Sequence, residues 1–167
     1  MQTIILPGGS LKNKVWLDAC ADALNVEGLV RPITWDHWLD ETQKFNAKEK
    51  GRLIARHSKG DKLNIVAKSI GTLVASYVIN SIPDQIGKVI FNGVPIHDIS
   101  PEETEEVVRA LKSLKPDQVL CIQNDNDPHA SFAEARAVVP KDIELISKQR
   151  SDHEYFYFED FNNFFVT

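Results

Sequence analysis

Six short runs of apolar and β-branched residues punctuate the chain, at 3–6, 29–33, 63–67, 88–92, 118–123 and 143–146. Several are nearly continuous rather than alternating. That pattern fits strands buried on both faces, as in a parallel sheet. The run at 29–33 contains Pro32, which cannot donate to a ladder, so it predicts an edge strand. Between the runs the spacing becomes helical. Val15, Trp16, Ala19, Ala23 and Leu24 mark one helix, and Leu53, Ile54 and His57 end a second, more polar one. Ile70, Leu73, Val74, Tyr77 and Val78 mark a third, and Val107, Val108, Leu111 and Leu114 a fourth. Residues 132–138 and 156–165 give a fifth and a sixth. Ser100-Pro101-Glu102-Glu103 is a capping box with proline at the first helical position. The acidic stretch 102–106 then sits where the helix dipole favours negative charge. Strand–helix alternation along the whole chain predicts right-handed βαβ units. The expected fold is α/β, a three-layer αβα sandwich with a mostly parallel sheet of about six strands.

Composition narrows the function classes. A chain of 167 residues suggests one domain, 1–167, able to bury a full core. Its 43% hydrophobic and 26% charged residues exclude a disordered or low-complexity chain. Cys20 and Cys121 are the only cysteines, which excludes a disulfide scaffold and fits a reducing compartment. The formal charge is 19 − 24 = −5 with no basic cluster, which argues against nucleic acid as a partner. Residues 1–7 carry no basic n-region, and no apolar run approaches the ~20 residues of a membrane span. The expected location is cytoplasmic.

Functional residues of such a sheet belong at the carboxyl ends of its strands. Ala67-Lys68-Ser69-Ile70-Gly71 stands there, between the third strand and the third helix. Small residues two before and two after a serine let strand and helix close on a tight turn that exposes the hydroxyl. This matches the nucleophile elbow G-x-S-x-G, with Ala67 replacing the first glycine. The plain alternative is a serine N-cap. Unpaired N–H donors at the helix start make Ile70 the natural first oxyanion donor. Lys68 reads as a variable, exposed position, with steering of an anionic substrate as the alternative.

Three other loops reach the same edge. Pro7-Gly8-Gly9-Ser10 follows the first strand; its glycines let the backbone approach a ligand, and Gly9 can supply a second oxyanion donor. A bare glycine turn is the alternative. Neither a dinucleotide fingerprint nor a P-loop is present, which disfavours a nucleotide-binding domain. Asn124-Asp125-Asn126-Asp127-Pro128-His129 follows the fifth strand. Asp127, farther past the strand end, is preferred to Asp125 as a carboxylate that orients an imidazole. An Asx-rich turn is the plain reading of this loop. A metal site here lacks the glycine and distal glutamate of an EF-hand, and no metal is expected. His153 follows the last strand. The order Ser69, Asp127, His153 is that of a hydrolase triad on this architecture. Trp35 and Trp38, after the second strand, are candidate walls of an acyl pocket, or packing for the helix that follows.

On residues 65–71, 126–128 and 152–153 the chain resembles the α/β-hydrolase superfamily, in particular small cap-less serine hydrolases similar to the YdeN-like group. The resemblance spans residues 3–165 and implies the strand order 2-1-3-4-5-6. Pro7-Gly8 stands where the family has a histidine-glycine pair, which leaves the second oxyanion donor open. Only a few residues separate the fourth strand from the helix at Pro101, so there is no room for a cap and the site should be open. The expected activity is that of a serine hydrolase cleaving an ester, thioester or related acyl bond through an acyl-enzyme. It needs no cofactor. Its expected partner is a small acyl substrate, and its activity should rise with pH as His153 loses its proton. The alternative is a protein-interaction module on a hydrolase scaffold with little or no turnover.

Overall fold

A computed structural model describes residues 1–58 and 60–167. Six strands form one sheet: β1 (Gln2–Leu6), β2 (Leu29–Pro32), β3 (Leu63–Lys68), β4 (Ile86–Asn92), β5 (Val119–Asn124) and β6 (Glu144–Lys148). Every neighbouring pair is parallel, in the order β2-β1-β3-β4-β5-β6. The order expected from the resemblance is thus the one observed. β2, the strand that holds Pro32, lies at an edge, where a missing N–H breaks no inner ladder.

Five helices connect the strands, α1 (Lys14–Ala23), α2 (Ala47–His57), α3 (Ile70–Ser81), α4 (Pro101–Lys112) and α5 (Phe132–Val138), and α6 (Phe158–Val166) follows the last strand. The Ser100 box starts α4, with the serine side chain accepting from Glu103 N–H and Glu103 reaching back to Ser100 N–H. Ser131 and Glu134 start α5 in the same way. The last helix begins at Phe158 rather than 156, because Tyr155 dives into the core and Phe156 stays 45% exposed.

Strand alternation divides the core into two layers. Ile4, Leu6, Ile65, Ala67, Val89 and Phe91 face α2, α3 and α4. Ile5, Val66, Ile90, Leu120 and Ile122 face α1 and α6, against Trp16, Leu17 and Phe161. Both layers are closed, so β1, β3, β4 and β5 hold their loops rigidly at the carboxyl edge. Lys68 continues the Val66 side by the period of two and is buried at 3% exposure. The expectation of an exposed lysine is therefore corrected: its place in the pleat, not its charge, decides where it points.

Candidate active site

Ser69 occupies the turn between β3 and α3 with φ 56° and ψ −130°. It is the one non-glycine residue with positive φ among the described residues. A side-chain-bearing residue is strained there, and the strain persists because the surroundings fix it. Ser69 N–H donates to Asn92 O at 2.9 Å, and Ser69 O accepts from Thr72 N–H at 2.8 Å and from the Thr72 hydroxyl at 2.7 Å. Gly71 explains the tightness. A Cβ on it would lie 2.2 Å from Leu6 O and 2.8 Å from Pro7 O. Helix α3 therefore starts directly against the end of β1, as the elbow spacing requires.

The acid and the imidazole meet. His153 Nδ1 lies 2.6 Å from Asp127 Oδ2. Since a carboxylate only accepts, Nδ1 carries the proton and Nε2 is left as the basic nitrogen. That Nε2 is buried and has no hydrogen-bond partner. Asp127 also accepts from the Tyr155 hydroxyl at 2.5 Å and from His129 N–H at 2.7 Å. Burial opposes ionisation of Asp127, but hydrogen bonds from His153, Tyr155 and His129 outweigh it and hold the carboxyl below the usual range. Burial pushes the Tyr155 hydroxyl up, so it stays a donor. Asp125 accepts from Ser147 instead, so of the two carboxylates Asp127 is the one bonded to His153.

Gly93 carries the connection from this pair to the elbow. It has φ 61°, and a Cβ on it would sit 2.5 Å from the Tyr155 ring and 3.0 Å from His153 Cε1. Its neighbour Asn92 is the residue that holds Ser69 N–H. The consecutive residues Asn92 and Gly93 thus touch the Ser69 backbone and the imidazole in turn. Ser69 Oγ and His153 Nε2 are not hydrogen-bonded to each other in this structure. Tyr155 and Gly93 escaped sequence reasoning; a tyrosine two residues past the histidine, in the same loop, was the available signal.

The glycine loop lies on the other flank. A Cβ on Gly9 would meet Ile70 Cγ2 at 3.5 Å, so the two expected oxyanion residues are adjacent. Trp35 Nε1–H donates to Gly8 O at 3.0 Å. Trp38 Nε1–H and His37 Nε2–H both donate to Gly9 O, at 2.8 and 2.6 Å. Trp35 is 1% exposed and stacks edge-on against Phe45. The two indoles thus brace the loop carbonyls. Trp35 also lines a cavity of about 180 Å³ with Ile33, Lys50, Leu53 and Ile54, whose walls include neither Ser69 nor His153.

Other polar groups surround His153. The His129 ring lies 4.2 Å from it, centre to centre, and bonds Asp98. His97 is paired with Glu134 at 2.8 Å. Hydrogen bonds from His97 and then Ser131 lower the Glu134 carboxyl to about 2. No group of three or more His, Cys, Asp and Glu side chains is placed to hold a metal ion among the described residues. Asp125, Asp127 and His129 point to three different partners. The two cysteines are free and buried, and burial pushes both thiols up, Cys121 to about 12, so neither is an activated nucleophile.

A scan of protein-family models finds no match to this sequence, and a search of curated proteins finds none either. Solved structures do match. Est1E from Butyrivibrio proteoclasticus, solved with ferulic acid bound, superposes with a TM-score of 0.71 at 14% identity, over 99% of this chain and 88% of that one. A YdeN-like hydrolase from Pectobacterium atrosepticum gives 0.63 at 15% identity, over 99% and 90%. YbtT, a type II thioesterase of the yersiniabactin pathway, gives 0.58 at 15%, over 99% and 89%. With its parallel sheet, its strand order and its serine elbow, the chain has the α/β-hydrolase fold.

Proposed function

We propose that the protein is a serine hydrolase that cleaves an ester, thioester or related acyl bond. The observation that carries this reading is the buried, unpartnered Nε2 of His153, held by ionised Asp127 and packed on Gly93, whose neighbour Asn92 holds a serine in a strained elbow. A buried nitrogen with no partner costs stability, which is a reason to expect a task for it. Ser69 Oγ attacks the acyl carbonyl while His153 Nε2 takes its proton. Asp127 stabilises the imidazolium that forms. The Ile70 and Gly9 N–H groups receive the oxyanion. Collapse expels the alcohol or thiol, which takes the proton from His153. Water then attacks the acyl-enzyme with His153 again as base, releasing the acid and restoring Ser69.

The pinned glycine loop supports the oxyanion assignment. With the Gly8 and Gly9 carbonyls committed to indole and imidazole N–H donors, the loop cannot flip its peptides cheaply. The structural neighbours support acyl chemistry through the thioesterase and the ferulic acid complex. The same reading takes residues 1–167 as one catalytic domain. No helix among the described residues is long and apolar enough to cross a membrane. A small acyl substrate and a cytoplasmic setting complete the proposal.

Hydrolysis of p-nitrophenyl butyrate tests it. The wild-type protein should turn over this ester, and Ser69→Ala should bring the rate to background. Folded wild-type protein with no turnover on esters or thioesters of any chain length would favour the interaction-module reading instead.

A further inference from the structure

The molecule buries one charge at its reaction edge that the mechanism above does not use. The Lys68 side chain, directly before Ser69, is 4% exposed. Burial lowers its tendency to hold a proton, and Glu154, then Asp127 and Asp152, oppose that. Its Nζ lies 5.8 Å from the centre of the buried Trp16 ring. It donates to Asn13 Oδ1 at 2.9 Å and lies 3.5 Å from Glu154 Oε2.

Asn13 makes this contact informative. An ammonium can only donate, so Lys68 fixes which end of the Asn13 amide faces inward. The amide nitrogen is then turned toward Ser10, donating to Ser10 O at 3.1 Å and Ser10 Oγ at 3.2 Å. The amide also lies flat against Gly8, where a Cβ would fall 2.6 to 2.7 Å from three of its atoms. The indoles hold the same loop through the carbonyls of Gly8 and Gly9. One oriented amide therefore separates the lysine from the loop that carries Gly9 N–H.

We propose that Lys68 is a positioning residue for the oxyanion loop, acting through the Asn13 side-chain amide. The inference rests on the serine-hydrolase reading and adds the device that sets Gly9 N–H against Ile70 N–H. It differs from a structural role in a measurable way. Replacing a buried ion pair by apolar side chains is often neutral or stabilising, and removing one partner is costly chiefly through the charge it leaves buried. Here the ion-pair partner Glu154 is 53% exposed and is left in water. Loss of the lysine should therefore spare the fold and slow the reaction.

The test compares Lys68→Met, Asn13→Ala and the double variant with wild type on p-nitrophenyl butyrate, with thermal unfolding measured in parallel. Lys68→Met should keep or raise Tm while kcat falls about 10- to 100-fold, with KM within about threefold, the scale expected when a donor loop is misplaced. Asn13→Ala should give a similar loss. The double variant should lose no more than the larger single loss, because both act through one amide. The fall should persist on the high-pH plateau, where loss of the Lys68 charge no longer acts through the His153 proton. An unchanged kcat in either folded variant overturns the proposal. So do losses that multiply in the double variant, or a Lys68→Met loss that vanishes on the high-pH plateau, which would place the effect on His153 through Asp127 and Glu154. Should Lys68→Met fail to fold, Asn13→Ala decides alone. Wild-type activity with unchanged variants sinks this inference only, whereas inert wild-type protein sinks it together with the hydrolase reading.

Discussion

The two flanks of Ser69 are held in opposite ways. On the β5–β6 side a buried carboxylate gathers three donors, from His153, Tyr155 and the His129 backbone. On the β1–β2 side the fixed groups are neutral carbonyls, gripped by Trp35, Trp38 and His37. The first flank stores a charge and leaves one basic nitrogen free. The second grips neutral carbonyls and only aims a peptide. A proton-transfer group needs its electrostatics tuned, whereas an oxyanion donor needs its direction fixed. Damage to the first flank should therefore change rate and pH response together, and damage to the second should change rate alone.

Asp127→Asn should show the largest effect after loss of the serine itself. It permits the wrong imidazole tautomer and removes the stabilising charge, so kcat should fall about 10⁴-fold in steady-state ester assays. The same residue predicts an acid limb of stability. Its folded pKa is lowered, so ionised Asp127 stabilises the fold above the unfolded carboxylate range. That contribution is lost as pH falls through the lowered folded value. Thermal unfolding of wild type should therefore weaken on acidification more steeply than that of Asp127→Asn.

Tyr155→Phe comes next. It removes one of three donors to the carboxylate and leaves Asn124 N–H without its 3.1 Å partner. Stability should drop by about 1–3 kcal/mol in urea unfolding, with kcat reduced about tenfold. Trp38→Phe should act on the other flank. It keeps an aromatic ring, though a smaller one, and deletes one donor to Gly9 O, so kcat should fall severalfold with an unmoved pH profile. An altered pH midpoint in Trp38→Phe would break the contrast between the flanks. Glu134→Gln should be the mildest. It strips His97 of its exposed partner, and activity should stay within about twofold of wild type, as exposed pairs contribute little.

Local features were legible before the structure, and long-range ones were not. Strand starts and ends fall within two residues of the apolar runs, because continuous burial on both faces writes itself directly into sequence. The elbow was legible for the same reason: Ala67, Ser69 and Gly71 are near neighbours. The pairing of Asp127 with His153 followed from loop order alone. Trp35 and Trp38 stood at the correct edge, but their bonds to glycine carbonyls span 27 and 29 residues, and no local pattern encodes such a contact. Lys68 is the instructive miss. Its place two residues past Val66 already put it on the buried α1–α6 side, and the expectation followed its charge instead of the pleat. Tyr155 and Gly93 belong to the same class, since each works by touching a residue on another strand.

The most direct test of the central claim is covalent labelling with a fluorophosphonate, read by intact mass and peptide mapping. The account predicts a single adduct on Ser69, absent from Ser69→Ala and strongly slowed in Asp127→Asn. A folded wild-type protein that takes no adduct, or that carries it equally in Ser69→Ala, would contradict it.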